Sequence, residues 1–181
     1  MEYKDTLNLP KTDFPMKANL PNREPDILKS WARHSIFQKA LDQSKQSKKY
    51  VLHDGPPYAN GDIHIGHAVN KILKDFIIKS KIMSGYHTPF TPGWDCHGLP
   101  IELQVEKKYG KGKFKDNPNA FVAACREFAN KQIERQKADF IRLGVFADWD
   151  NPYTSMDKEV EAGIVKSLSK IIDNNHIYFG S

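Results

Sequence analysis

Two histidines, His64 and His67, flank Gly66 at the end of the run Gly55-Pro-Pro-Tyr-Ala-Asn-Gly-Asp-Ile-His-Ile-Gly-His67. Residues three apart on a first helical turn face the same way. Two imidazoles so placed can donate hydrogen bonds to charge developing on a phosphoryl group, and losing one such fixed donor typically costs about 10²–10³ in rate. Gly66 between them has no side chain, so a flat ring or a phosphate can approach the backbone. A second loop, Pro92-Gly-Trp-Asp-Cys-His-Gly-Leu-Pro100, carries Asp95, whose carboxylate suits a cationic amine through a charge-assisted contact. Plainer roles compete with these. The histidines also fit a polar helix surface, or a metal site shared with Cys96 and His97. Asp95 also fits a turn cap, Trp94 fits packing, and Cys96 and His97 fit structural roles, since nothing visible orients an imidazole toward the thiol.

The elements that would position these groups follow from punctuation and periodicity. Residues 1–22 hold Pro10, Pro15 and Pro21 and read as an extended arm. Pro25 opens a helix with Ile27, Leu28, Trp31, Phe37 and Leu41 as its stripe. Lys49–His53 reads as a buried strand, the Gly-Pro run after it as a loop, and about Ile63–Met83 as a helix ending at Gly85. In that helix Ile72, Leu73, Phe76, Ile77 and Met83 are apolar. Tyr86–Thr91 reads as a second strand. Strand, helix, strand implies a parallel βαβ unit, with ligands expected at the carboxyl ends of its strands, beside free N–H groups of a helix N-terminus. Asn117-Pro118 signals a helix to Leu143 that stops at Gly144. Trp149–Tyr153 reads as a loop. Thr154–Asp157 reads as a capping box before a packing helix whose face carries Val160, Ile164, Leu168 and Ile171. A two-stranded unit leaves both edges unpaired, so an exposed apolar patch is expected.

Composition narrows the class. The 181 residues carry 27 Lys plus Arg against 22 Asp plus Glu, a net +5, with 39% apolar residues. That excludes disordered and collagen-like classes, and no run approaches the roughly 20 apolar residues of a membrane span. The two cysteines cannot form a disulfide framework, which favours a reducing compartment. The N-terminus lacks the apolar core of a secretory signal. Neither GxGxxG nor GxxxxGK[ST] occurs, so a nucleotide would be held by another scheme. Lysines 107, 108, 111, 113 and 115 form a basic segment: a solvated loop, or a contact for nucleic-acid phosphates.

The loop ending in His64-Ile-Gly-His67 resembles the HIGH signature of the class I aminoacyl-tRNA synthetases. Gly93-Trp-Asp-Cys-His-Gly-Leu-Pro-Ile-Glu102, the opening Tyr3-Lys-Asp-Thr-Leu-Asn-Leu-Pro10 and Arg23-Glu-Pro25 are similar to the bacterial isoleucine-specific branch. The resemblance covers essentially the whole chain. It implies an α/β fold: the first, Rossmann-like parallel βαβ half of a catalytic domain, with flanking helices. Residues 1–48 would be an N-terminal arm and helix, 49–145 the half-domain with the HIGH loop, and 146–181 a helical lead toward an editing insertion. It also implies ATP, with Mg2+, as substrate, and isoleucine and tRNA(Ile) as partners. His64 and His67 would be catalytic. Tyr58, Asn60, Gly61 and Gly66 would join them at ATP, and Gly55, Pro56, Gly93 and Asp95 would hold the amino acid. Zinc is implied only for the family's C-terminal part. A monomeric, cytoplasmic full-length protein is the expectation.

Two departures are specific. The family's KMSKS signature has no counterpart, for no Lys-Met-Ser occurs. Nor do the editing, anticodon-binding and zinc-bearing parts. An enzyme fragment is therefore set against a non-catalytic module that only binds nucleotide or amino acid.

Overall fold

The structure, a computed structural model, describes residues 2–8, 13, 17–178 and 180. It falls into two units, residues 1–35 and 36–181. The first holds a 3-10 turn at Tyr3–Thr6, where an extended arm was expected, and helix α1 at Leu20–Arg33. Pro10 and Pro15 lie outside the described residues. Pro21 sits in the first turn of α1, where its missing N–H costs nothing. Pro25 is therefore inside the helix rather than at its start. Ser35, with φ +50°, breaks the single helix anticipated to Leu41, and α2 (Ile36–Gln43) opens the second unit.

The parallel βαβ path is present in reduced form. Lys49 bridges His87 and Tyr58 bridges Asp95, both parallel, with α3 (Ile65–Met83) as the crossover. Tyr50 N–H donates to the His87 carbonyl at 2.9 Å, and Asp95 N–H to that of Pro57 at 2.8 Å. Continuous strands do not form because Pro56, Pro57, Pro89 and Pro92 each lack a ladder donor. The regular pairing lies on the other side of the second run: β1 (Gly93–Trp94) is parallel to β2 (Tyr153–Thr154). Tyr153 was read as loop, because a two-residue strand has no periodicity to show. The run 87–95 thus has a neighbour on both sides.

Helix α3 turns a partly charged face inward. Lys71, Asp75 and Ile78 are buried, while Leu73, Phe76, Ile77 and Met83 are exposed. The buried charges are tolerated because each is paired. Asp75 binds Lys79 at 2.5 Å and accepts from Phe146 N–H at 2.8 Å. Gly85, with φ +81°, follows the end of α3 as read.

Helix α4 (Leu99–Tyr109) takes in Lys107 and Lys108, so the basic segment straddles a helix end and a turn. Lys108 and Lys113 lie over the Tyr109 ring, at 5.1 and 4.9 Å. Helix α5 (Pro118–Arg142) starts at Asn117, whose side chain accepts from Ala120 N–H at 3.0 Å. Its Ala129, Ile133 and Phe140 enter a core with Trp94, Ile101 and Met156. A smaller cluster joins Ile78, Phe90 and Ala147.

Helix α6 (Lys158–Asp173) starts from Asp157, not from the Thr154 box; the Asp157 carboxylate accepts from Thr154 N–H at 3.0 Å. It buries no residue, contrary to the packing role expected of it, and Ile164, Leu168 and Ile171 are exposed. No described helix is long and apolar enough to cross a membrane.

Candidate functional site

The first turn of α3 is built by its histidines. His64 is the N-cap, in extended backbone, and its Nδ1 accepts from the N–H groups of Gly66 (3.0 Å) and His67 (3.4 Å). His67 Nδ1 in turn accepts from His64 N–H at 3.4 Å. This is a reciprocal capping box in which imidazoles replace the usual hydroxyl and carboxylate. The rings stack, with centroids 3.8 Å apart and 17° between planes.

The chemistry follows from that geometry. A neutral imidazole whose Nδ1 accepts carries its proton on Nε2. Both rings are therefore fixed in the same tautomer, each with one Nε2–H donor uncommitted to the cap. Burial, aided by the neighbouring His64 and Lys71, holds His67 below the ordinary histidine value, which favours its neutral form. The expected free helix N–H groups are replaced, for two of them, by imidazole donors one side chain further out. Gly66 is required by the same fold-back: a Cβ there would lie 2.9 Å from His64 Cε1. Its missing side chain makes room for that ring.

A cavity of about 370 Å³ opens here, lined by Gly55, Pro56, Pro57, Tyr58, His64, Gly66, His67, Asn70, Lys71 and Phe140. Six of the anticipated residues thus share one cleft. Asn60, Gly61, Gly93 and Asp95 do not line it. Backbone pairing ties them to it: Ala59 N–H donates to the Asp95 carbonyl at 2.9 Å, beside the Tyr58 bridge. Gly93 is pressed between walls, since a Cβ would lie 2.7 Å from the Tyr153 ring and 3.3 Å from Pro56 Cβ.

Asp95 is oriented by groups that the sequence reading missed. Its Oδ1 accepts from Ser155 Oγ at 3.1 Å and from His97 N–H at 3.4 Å. Ser155 Oγ also accepts from Cys96 N–H at 2.8 Å. Burial pushes the Cys96 thiol up to about 11, so it is not a thiolate at pH 7. His97 Nε2 faces the Ser155 carbonyl at 3.0 Å and Glu161 at 3.3 Å. Among the described residues no three His, Cys, Asp or Glu side chains gather as a metal site.

Asp54, Lys71 and Lys74 were also missed. Asp54 is buried, pairs with Lys71 and with Lys74 (2.6 Å), and accepts from Gly93 N–H at 2.9 Å. Burial pulls Lys71 below the usual lysine value, against the opposing pull of Asp54. A signal existed: 64, 67, 71 and 74 repeat at helical spacing, extending the histidine face into a cationic stripe. One carboxylate between two ammonium groups leaves one positive charge in excess beside the cleft.

Comparison with known proteins gives the family. Residues 26–181 match the model of the tRNA synthetases class I (I, L, M and V). The chain is 62% identical over 179 residues to the isoleucine–tRNA ligase of Shewanella pealeana, and 58% identical over 180 to that of Haemophilus ducreyi. Each alignment covers 99% of this chain and 19% of the relative, so the chain spans about a fifth of these relatives' length. Among solved structures, the LeuRS of the Agrobacterium radiobacter K84 LeuRS-tRNA-LeuAMS ternary complex superposes with a TM-score of 0.68 at 24% identity. That match covers 90% of this chain and 19% of the other, and speaks for the fold. A Rossmann-like α/β half, a histidine-capped crossover helix and the match over residues 26–181 lead to one conclusion: the chain belongs to the class I tRNA synthetases.

Proposed function

We propose that this chain supplies the HIGH-loop half of the catalytic unit of an isoleucine–tRNA ligase, which activates isoleucine with ATP and transfers it to tRNA(Ile). The observation that carries the reading is the pair of imidazoles locked in one tautomer over one cleft. The identity to isoleucine–tRNA ligases supports the amino-acid assignment.

In the reaction, an isoleucine carboxylate oxygen attacks the α-phosphorus of MgATP. The bond to the bridging oxygen breaks and pyrophosphate leaves. Negative charge shifts onto the departing oxygens, where Nε2–H donors of His64 and His67 stabilise it without reorganising. What the step uses is their fixed direction, which the cap enforces. Tyr58, Asn60, Gly61 and Gly66 hold the nucleotide. Gly55, Pro56 and Gly93 flank the amino acid, and Asp95 takes its α-ammonium. Residues 49–145 form the half-domain, 1–48 the arm and first helix, and 146–181 lead on from it. The full-length protein works as a cytoplasmic monomer.

Isoleucine-dependent exchange between pyrophosphate and ATP, measured in the full-length protein, tests this. Exchange with isoleucine and weak exchange with leucine are expected. Binding of ATP or isoleucine with no exchange would replace the reading by a binding module.

A further inference from the structure

One buried side chain on α5 is spent on neither packing nor solvent. Gln136 is 0% exposed. Its Nε2 donates to the carbonyl of Tyr58 at 3.0 Å and to that of Gly61 at 2.7 Å. Its Oε1 accepts from the Trp94 indole N–H at 2.9 Å. Both donors and the acceptor of one amide are thus used, and the two donors grip the first and last residues of the turn Tyr58-Ala-Asn-Gly61. The Asp95 bridge and the buried Ala59 hold the start of that turn, and Gln136 is the side chain that ties its two ends together across Asn60.

We propose that Gln136 is a positioning residue for nucleotide binding: it clamps the 58–61 turn in the geometry that the nucleotide meets, and its loss weakens ATP binding rather than isoleucine binding. The inference rests on the assignment of that turn to ATP made above. Only an amide fits the post. A methionine has the same reach but neither donor. A glutamate keeps the acceptor for Trp94 but points an anion at two carbonyl oxygens. An asparagine is one methylene short.

The test measures pyrophosphate exchange in the unmodified protein, Gln136→Met and Gln136→Glu, with hydrogen exchange of the 59–62 amides and thermal unfolding alongside. The expected result for Gln136→Met is faster amide exchange in the turn, an ATP KM raised about tenfold or more, and an isoleucine KM within about twofold. In Gln136→Glu the acceptor for Trp94 is kept, so any ATP defect belongs to the side of the amide that faces Tyr58 and Gly61. Lowering the pH from about 8 to about 6 protonates a carboxyl whose pKa is raised by burial and facing carbonyls. One O–H donor returns, and the ATP KM of Gln136→Glu should move toward that of the unmodified protein. That of Gln136→Met should not. A purely structural glutamine predicts lower melting temperatures with both KM values unchanged, or raised together and insensitive to pH; either outcome overturns the proposal. Should Gln136→Glu fail to fold, Gln136→Met decides alone through the split between the two KM values. An unmodified protein that shows no dependence on ATP would overturn both this inference and the reading beneath it. Equal ATP KM values in all three proteins overturn the clamp alone.

Discussion

Replacing Asp54 by Asn removes the carboxylate between Lys71 and Lys74 while keeping an oxygen for Gly93 N–H. The consequence can be sized from exposure. Lys74 is 15% exposed along its side chain and can turn toward water; Lys71, at 2%, cannot. One ammonium, not two, is stranded. Breaking a buried pair by removing one partner costs about 3–5 kcal/mol. With the Gly93 bond retained, the lower figure of about 3 kcal/mol applies. For a chain of this size each kcal/mol moves Tm by about 2–4 °C, so a fall of about 6–12 °C is expected. Urea unfolding followed by circular dichroism should show the same loss at constant m. Lys71→Met alone should cost less, because Asp54 keeps Lys74. The double variant Asp54→Asn/Lys71→Met removes the stranded charge and fills the stem's volume. It should recover most of the loss, a coupling of about 2 kcal/mol. A single-variant loss below about 1 kcal/mol, or strict additivity in the double variant, would refute the buried-charge reasoning.

Further outcomes follow from the same geometry. His64→Asn should keep the cap, since asparagine accepts from the same backbone N–H groups, yet slow adenylate formation by about 10²–10³; His64→Ala should lose about 1 kcal/mol of stability as well. A His64→Asn protein with normal exchange would dismiss the Nε2 donor. Asp95→Asn should raise the isoleucine KM about tenfold or more while sparing that of ATP, and Ser155→Ala should give a smaller change in the same direction. Reversing lysines 107, 108, 111, 113 and 115 to glutamate should weaken tRNA binding and flatten its salt dependence; an unchanged slope would return them to solvent. His67 has its pKa lowered by folding, so the unfolded chain binds the extra proton first. Stability should therefore hold above about pH 6.5 and fall as pH drops below it. His67→Asn should blunt that acid loss in thermal melts.

What was legible in the sequence was what local chemistry dictates. Asn117-Pro118 and Gly85 marked helix ends because caps depend on neighbouring residues alone. The His64–Gly66–His67 face was legible because helical spacing places it whatever the rest of the chain does. The misses share the opposite property. β2 is two residues long and exists only because Pro92 and Trp94 offer it carbonyls. The inward face of α3 was not legible because apolar periodicity picks out Leu73 and Phe76, which are exposed. Burial of Lys71 is decided by Asp54, which is distant in sequence. Ser155 was invisible as a partner of Asp95 for the same reason.

The histidine pair shows why the site resists being split into fold and function. A serine and a glutamate in the same box would cap α3 as well, and hydroxyl or carboxylate oxygens would be the groups left at the helix end. An imidazole differs in having two nitrogens across one rigid ring. When Nδ1 is spent on the backbone, Nε2 must carry the proton, and its direction is set by the cap. The group that ends the helix is thereby the group that faces the cleft, with no rotamer left to choose. The stack at 3.8 Å adds a second constraint, since His64 beside it disfavours a proton on His67. Loosening the cap and disorienting the donor are a single event. That is why His64→Asn, which keeps the first and removes the second, separates them where His64→Ala cannot.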